Sequence, residues 1–220
     1  KEAIQIKPRE VLSKAKVQEA QQGILEGYRK LGRFGATVEP KIVKLPENCV
    51  NLIFEINEGD VTFVRKINFV GNKHIDSSKL ESHLLTKRKR WYRFFANDDV
   101  YDPARFASDQ EALRQFYKDQ GYLDFRIISA TAELSPDRKD FFLTFTVEEG
   151  ERYTLDKVDL VSHMKTVKAE DFKGLVSAKS GDWYSDKEIK KQVDVITNKV
   201  GTKGYAFAEI LPTLQKEPKT

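Results

Sequence analysis

A single cysteine, only three histidines and no long apolar run mark this sequence of 220 residues. One cysteine, Cys49, excludes an internal disulfide, and it says little about compartment because many non-cytoplasmic domains manage without bridges. The apolar runs are as short as Phe141-Phe142-Leu143, far below the roughly 18–20 residues that a membrane-crossing helix needs. No signal peptide or lipidation motif opens the chain, which starts at Lys1 and reads as a piece of a longer protein. A secreted or membrane-embedded parent stays open. Charge of one sign is barely in excess: 38 Lys and Arg stand against 34 Asp and Glu, so a net +4 makes no field that compels a polyanionic partner.

Catalytic constellations are missing as well. His74, His83 and His163 have neither HExxH nor zinc-finger spacing and are read as surface or partly buried structural residues. Cys49 precedes an apolar run and is expected to be a small, partly buried hydrophobe rather than a nucleophile without a base. No GxSxG, Walker A or GxGxxG motif occurs. Glu148 and Glu149 are adjacent at a strand end, so their carboxylates face opposite sides and cannot share acid–base work. No catalytic residue, cofactor-binding residue or metal ligand is assigned, and a non-enzymatic protein is expected.

What is present is a spacing. Tyr101 and Tyr184 each stand 20 residues before a glycine, Gly121 and Gly204, and Leu12 stands 20 before Gly32. Between these landmarks apolar residues recur at offsets 5, 12 and 16: Val17, Ile24 and Tyr28; Phe106, Leu113 and Tyr117; Ile189, Ile196 and Val200. Those offsets fall on one stripe of an α-helix. Asp102 followed by Pro103, and Ser185 with Glu188 three residues on, are N-terminal signals; the glycine suits a left-handed C-cap.

After each glycine the period changes to two. Val50, Leu52, Phe54 and Ile56 alternate with other residues, as do Phe141, Leu143, Phe145 and Val147, and both runs end at an acidic residue and a glycine, Gly59 and Gly150. The runs 36–44 and 123–134 precede them across turns at 45–48 and 135–138, which predicts hairpins. A further strand is read around Val64, Ile67 and Phe69, and again around Leu155, Val158 and Leu160. A first helix is predicted over 78–86, with a Ser78–Glu81 capping box, and over 168–177. The unit is β-α-α-β-β in a tandem array: 1–59 partial, 60–150 complete and 151–220 partial. The fold class is α+β, each repeat a three-stranded sheet with two helices on one face, and the minimal links at Gly59 and Gly150 predict restricted, elbow-like motion.

Such a sheet has edges, and unpaired backbone N–H and C=O groups form a template for another strand. If the second strand of each hairpin is central, the docking edge is the first, 36–44 and 123–134. Leu123, Phe125 and Ile127 supply apolar surface at its start and on one side, and Ile128, Ala130, Ala132 and Leu134 supply it on the other.

The motif Ile67-Asn68-Phe69-Val70-Gly71-Asn72, the joint from Tyr117 to Gly121-Tyr122, and the hairpin closing on Glu148-Glu149-Gly150 resemble the polypeptide-transport-associated (POTRA) repeats of the BamA family. Leu134-Ser135-Pro136-Asp137-Arg138-Lys139 is similar to the hairpin turn of that family's third repeat, and Leu45-Pro46-Glu47-Asn48 to that of its second. The resemblance implies a mixed sheet in each repeat, in the order first, third, second strand, and repeats two (partial), three and four (partial) of a periplasmic arm whose parent is anchored in the outer membrane by a β-barrel and folds and inserts other barrel proteins. It implies as partners unfolded outer-membrane β-barrel proteins and accessory assembly lipoproteins, such as a BamB-like propeller docking at the position of Leu134. Val161-Ser162-His163 departs from the pattern, since Val70-Gly71-Asn72 has a glycine there. A related secretion or import pore is the alternative.

One segment fits less well. Lys87–Phe95, KRKRWYRFF, interleaves Lys87, Arg88, Lys89, Arg90 and Arg93 with aromatics including Trp91, and alone it suits nucleic acid. Its place between two helices favours a structural loop, with its aromatic half on helix ends and its basic half in water. Anionic lipid or an acidic partner is its functional alternative. A nucleic-acid-binding repeat array is the remaining reading, and no nucleic acid is expected.

Overall fold

Helix α1 (Lys14–Lys30) starts where Ser13, in extended backbone, accepts the Lys16 N–H on its hydroxyl at 3.3 Å, and it buries Val17, Ala20 and Ile24 along one stripe. The structure, a computed structural model, describes residues 11–47, 49–89, 98–163, 167–205 and 208–216. The chain divides into two units, Lys1–Glu111 with Ile127–Val147, and Ala112–Arg126 with Glu148–Thr220.

In the first unit α1 is followed by an antiparallel hairpin, β1 (Thr37–Lys44) and β2 (Val50–Asn57), in register from Thr37 opposite Asn57 to Lys44 opposite Val50. Next come β3 (Phe63–Val70), α2 (Ser77–His83), α3 (Pro103–Asp119), β4 (Arg126–Leu134) and β5 (Asp140–Glu148), α3 running on into the second unit. The three later strands form a mixed sheet in the order β3-β5-β4, with β3 parallel to β5. On β5 the residues Phe141, Leu143, Phe145 and Val147 are buried while Phe142 between them is exposed, so only one face is covered. Phe145 anchors that face, stacked on Phe69 of β3 at 5.5 Å and tilted against Phe106 of α3 at 5.1 Å. This is the α+β repeat that the spacing predicts.

The second unit centres on Tyr117, which is fully buried and stacked on Phe125 at 3.9 Å and 9°. Its hydroxyl donates to the buried carboxylate of Glu149 at 3.0 Å, whereas Glu148 turns outward to Arg126. Helix α4 (Asp186–Thr202) begins with Ser185 accepting the Glu188 N–H at 3.4 Å, and its buried Ile196 and Val200 pack with Val167 and Phe172.

Four expectations are corrected. Helix α2 starts at Ser77 and is not capped by Ser78; its entry is organised by Asn72, whose amide donates to the Ile75 carbonyl and the Ser77 hydroxyl. The segment around Leu155, Val158 and Leu160 is not a strand: among the described residues its pairing is the bridge between Thr154 and Trp183 together with the bonds of Leu155 to Asp182 and Gly181, and it does not extend into a ladder. The helix expected over 168–177 is two 3₁₀ turns, Ala169–Asp171 and Lys173–Leu175, in a stretch that Gly174 weakens as a helix. Cys49 is exposed: it lies in the turn between β1 and β2, where its carbonyl accepts the Leu45 N–H, in a hairpin that belongs to a two-stranded sheet.

The joints between successive repeats share one backbone pattern. The C-cap carbonyls of Gly32 and Gly121 accept the N–H of the third residue after each hairpin glycine, Thr62 at 2.8 Å and Tyr153 at 2.9 Å. Thr62 and Tyr153 in turn accept from Tyr101 and Tyr184, and the bridges Phe63–Val100 and Thr154–Trp183 occupy corresponding places. Gly121, at φ +95°, has the Tyr153 and Tyr184 carbonyls 3.3 and 3.2 Å from where a Cβ would stand, so both backbone sign and close approach require glycine there.

Candidate functional site

Strand β4 is the edge of the mixed sheet, with β5 on one side of it and, among the described residues, no strand on the other. The strand begins at Arg126, so Leu123 and Phe125 do not belong to the edge: Phe125 is buried in a turn under Tyr117, and Leu123 is half-buried before it. Along the strand Ile127, Ala130 and Ala132 are half-buried, while Ile128 is 58% and Leu134 38% exposed. Ile128 and Leu134 are the apolar side chains most open to an added segment. At the start of β4, Arg126 makes a two-point ion pair with Glu148, Nε to Oε2 at 3.0 Å and Nη2 to Oε1 at 2.9 Å, which holds the open end of the hairpin.

At the other end of β4, Leu134 forms part of the wall of a groove of about 810 Å³ whose lining also includes Phe34 and Tyr101. The Phe34 and Tyr101 rings lie 5.4 Å apart, and Phe141 beneath contacts both, at 4.9 and 3.9 Å. Arg29 and Lys30 from the last turn of α1 and Arg138 from the hairpin turn line the groove, with Glu26 and Asp102. Arg138 is fixed there in left-handed backbone, φ 58°, with its carbonyl accepting from the Thr62 hydroxyl at 3.0 Å. Sequence reasoning missed this groove because its residues come from two repeats; the signal was present in the aromatics that follow the C-cap glycine and precede the helix N-cap.

The basic loop is only partly described: Lys87, Arg88 and Lys89 are seen, whereas Arg90, Trp91 and Arg93 lie outside the described residues. The three visible basic residues do not simply stand in water. Lys87 donates to the Glu81 and Ser82 carbonyls, both at 3.1 Å, Arg88 pairs with Glu81 at 2.7 Å, and the Lys89 ammonium sits 3.5 Å from the Phe63 ring centre. Lys87 thus closes the C-terminal end of α2, where a cation meets otherwise unpaired carbonyls, and Arg88 pairs with a side chain of the same turn. His74, His83 and His163 are exposed, and no group of three or more metal-ligating side chains occurs among the described residues.

Tyr117 and Tyr184 carry the strongest pH signature among the tyrosines. Burial and the nearby Asp186 push the Tyr184 hydroxyl up to about 12, and burial together with Glu149 pushes Tyr117 up strongly. The fold therefore keeps protons that an unfolded tyrosine releases near pH 10, so stability is complete below about pH 10 and is lost as pH rises toward 12. The urea midpoint, followed by circular dichroism, is expected to fall over that window, and Tyr184→Phe should fall less steeply. Parallel slopes would contradict this origin.

These features define a tandem array of small α+β repeats with an exposed edge strand, β4. The chain belongs to the POTRA family: the family model described as surface antigen variable number repeat matches residues 1–59, 62–150 and 153–220. It is 28% identical over 210 residues to the outer membrane protein assembly factor BamA of Neisseria meningitidis serogroup B, covering 94% of this chain and 26% of that protein. With BamA of Neorickettsia risticii it shares 24% identity over 172 residues, 78% of this chain and 23% of the relative. The crystal structure of Haemophilus influenzae BamA POTRA3-5 superposes with a TM-score of 0.46 at 17% identity, covering 93% of this chain and 78% of that one. The chain thus spans about a quarter of the length of these curated relatives.

Proposed function

We propose that this chain is part of the periplasmic arm of an outer-membrane β-barrel assembly factor, organised as repeats 1–59, 60–150 and 151–220, and that it binds partners by adding a strand to β4. The observation that carries the reading is an edge strand, β4, with Ile128 and Leu134 exposed on it, in a POTRA chain related in sequence to BamA assembly factors. Unfolded barrel proteins suit such an edge because their side chains alternate apolar and polar, and pairing through backbone hydrogen bonds tolerates many sequences. Accessory lipoproteins, such as a BamB-like propeller, would dock through the hairpin at Leu134. The work of the site is capture and release, without bond-making chemistry.

Proline decides the matter, because successive N–H groups on a strand point to opposite sides. Of Ala130→Pro and Thr131→Pro, one removes an N–H turned away from β5 and should leave the amide spectrum folded. That variant is expected to bind a barrel-strand peptide at least about tenfold more weakly than the parent, read by fluorescence anisotropy. Unchanged affinity in a folded variant would end the strand-addition reading.

A further inference from the structure

Backbone pairing at an edge does not by itself choose a register, since a partner can slip along it by two residues and keep the same faces. The groove at the end of β4 supplies what is missing. Leu134 is both the last residue of the strand and part of the groove wall, and Ile128, Ala130 and Ala132 precede it at alternate positions on the same side of the strand. A segment added along β4 therefore brings one of its own alternate side chains to the groove.

The chemistry of the lining says which side chain fits. The Phe34 and Tyr101 rings, 5.4 Å apart, present an aromatic surface that favours an incoming ring in offset or edge contact. Around them stand three cations, Arg29, Lys30 and Arg138, and two carboxylates. One of those carboxylates, Asp102, is committed to its own helix, accepting the Ala104 N–H at 2.8 Å and the Arg105 N–H at 3.4 Å. The surplus is positive and calls for a carboxylate beside the ring.

We propose that this groove takes an aromatic side chain followed by an acidic residue from an extended protein segment, and thereby fixes the register of strand addition on β4. The proposal rests on the edge reading above, and its test separates the two.

The probe is a fluorescein-labelled ten-residue peptide of alternating valine and threonine with one phenylalanine followed by glutamate, titrated against the full chain by anisotropy. Its companions replace the phenylalanine by alanine or the glutamate by lysine. The phenylalanine–glutamate peptide is expected to bind about tenfold more tightly than the alanine peptide. The double variant Arg29→Glu with Lys30→Glu, both exposed residues, should reverse the preference between glutamate and lysine peptides. Equal affinity for the three peptides, or a preference untouched by the charge reversal, overturns the groove. A peptide methylated on alternate amide nitrogens isolates the edge. If methylation abolishes binding while the phenylalanine and glutamate do not matter, the edge stands and the groove falls; if charge reversal matters and methylation does not, the groove stands alone. Absence of binding by every peptide overturns both. Should the double variant fail to fold, the three peptides on the parent chain still decide.

Discussion

Gly71→Ala is expected to lower the stability of the complete repeat by about 3–5 kcal/mol, close to what a domain of this size possesses. Two effects add. Gly71 has φ +92°, a conformation that costs an L-residue about 1–2 kcal/mol. A Cβ built there would also stand 2.1 Å from the Val147 carbonyl oxygen, and that oxygen belongs to the central strand β5, whose backbone cannot retreat without disturbing the sheet. Gly181 provides the control: its φ is +89°, yet nothing lies within 4 Å of where an added methyl group would stand, so Gly181→Ala should show the backbone term alone. Urea unfolding of the three proteins measures the difference. Equal midpoints for the two variants would show that Val147 gives way, contrary to this account.

Asp109→Ala should have the second largest effect, about 2–4 kcal/mol, and a local signature. Asp109 on α3 is fully buried, and its carboxylate accepts the Leu85 N–H at 2.5 Å and the Thr86 N–H at 3.3 Å, holding the segment that leads into Lys87–Lys89. Alanine leaves two backbone donors without an acceptor, one of them on Thr86, which is 1% exposed, and each such loss costs about 1–3 kcal/mol. Hydrogen exchange should therefore accelerate at the Leu85 and Thr86 amides well beyond the global change, while Asp109→Asn, which keeps one amide oxygen, should lie between. If those two amides stay as protected as before, the carboxylate is not what holds the loop.

The repeat was legible because helix stripes, capping residues and strand alternation are local properties, and Tyr117, Leu113 and Phe145 sit where their spacing puts them. The edge needed the family resemblance as well, since a hairpin's first strand is outermost only where its second is flanked on both sides, and strand alternation alone does not say that it is. The rest depended on partners remote in sequence. Among the described residues, Leu155, Val158 and Leu160 have a strand's pattern but no ladder to join, and Cys49 has apolar neighbours but is exposed. The groove joins Arg29 to Arg138 and Phe34 to Phe141, residues that no local window brings together. In the basic loop, Lys87 and Arg88 read as solvated charge because the helix end that they meet is a feature of the fold, not of their own segment.

Because the joints at Gly32–Thr62 and Gly121–Tyr153 are made by peptide groups at matching positions, with different side chains around them, they tolerate drift in sequence and in the length of the intervening hairpin while keeping the same step from each hairpin glycine to Thr62 or Tyr153. Such a coupling works like a standard gauge. A gene segment duplicated or lost between the third residues after Gly59 and Gly150 would leave a joint of the same form, so arrays of this kind can grow or shrink by whole repeats without a new interface having to be invented.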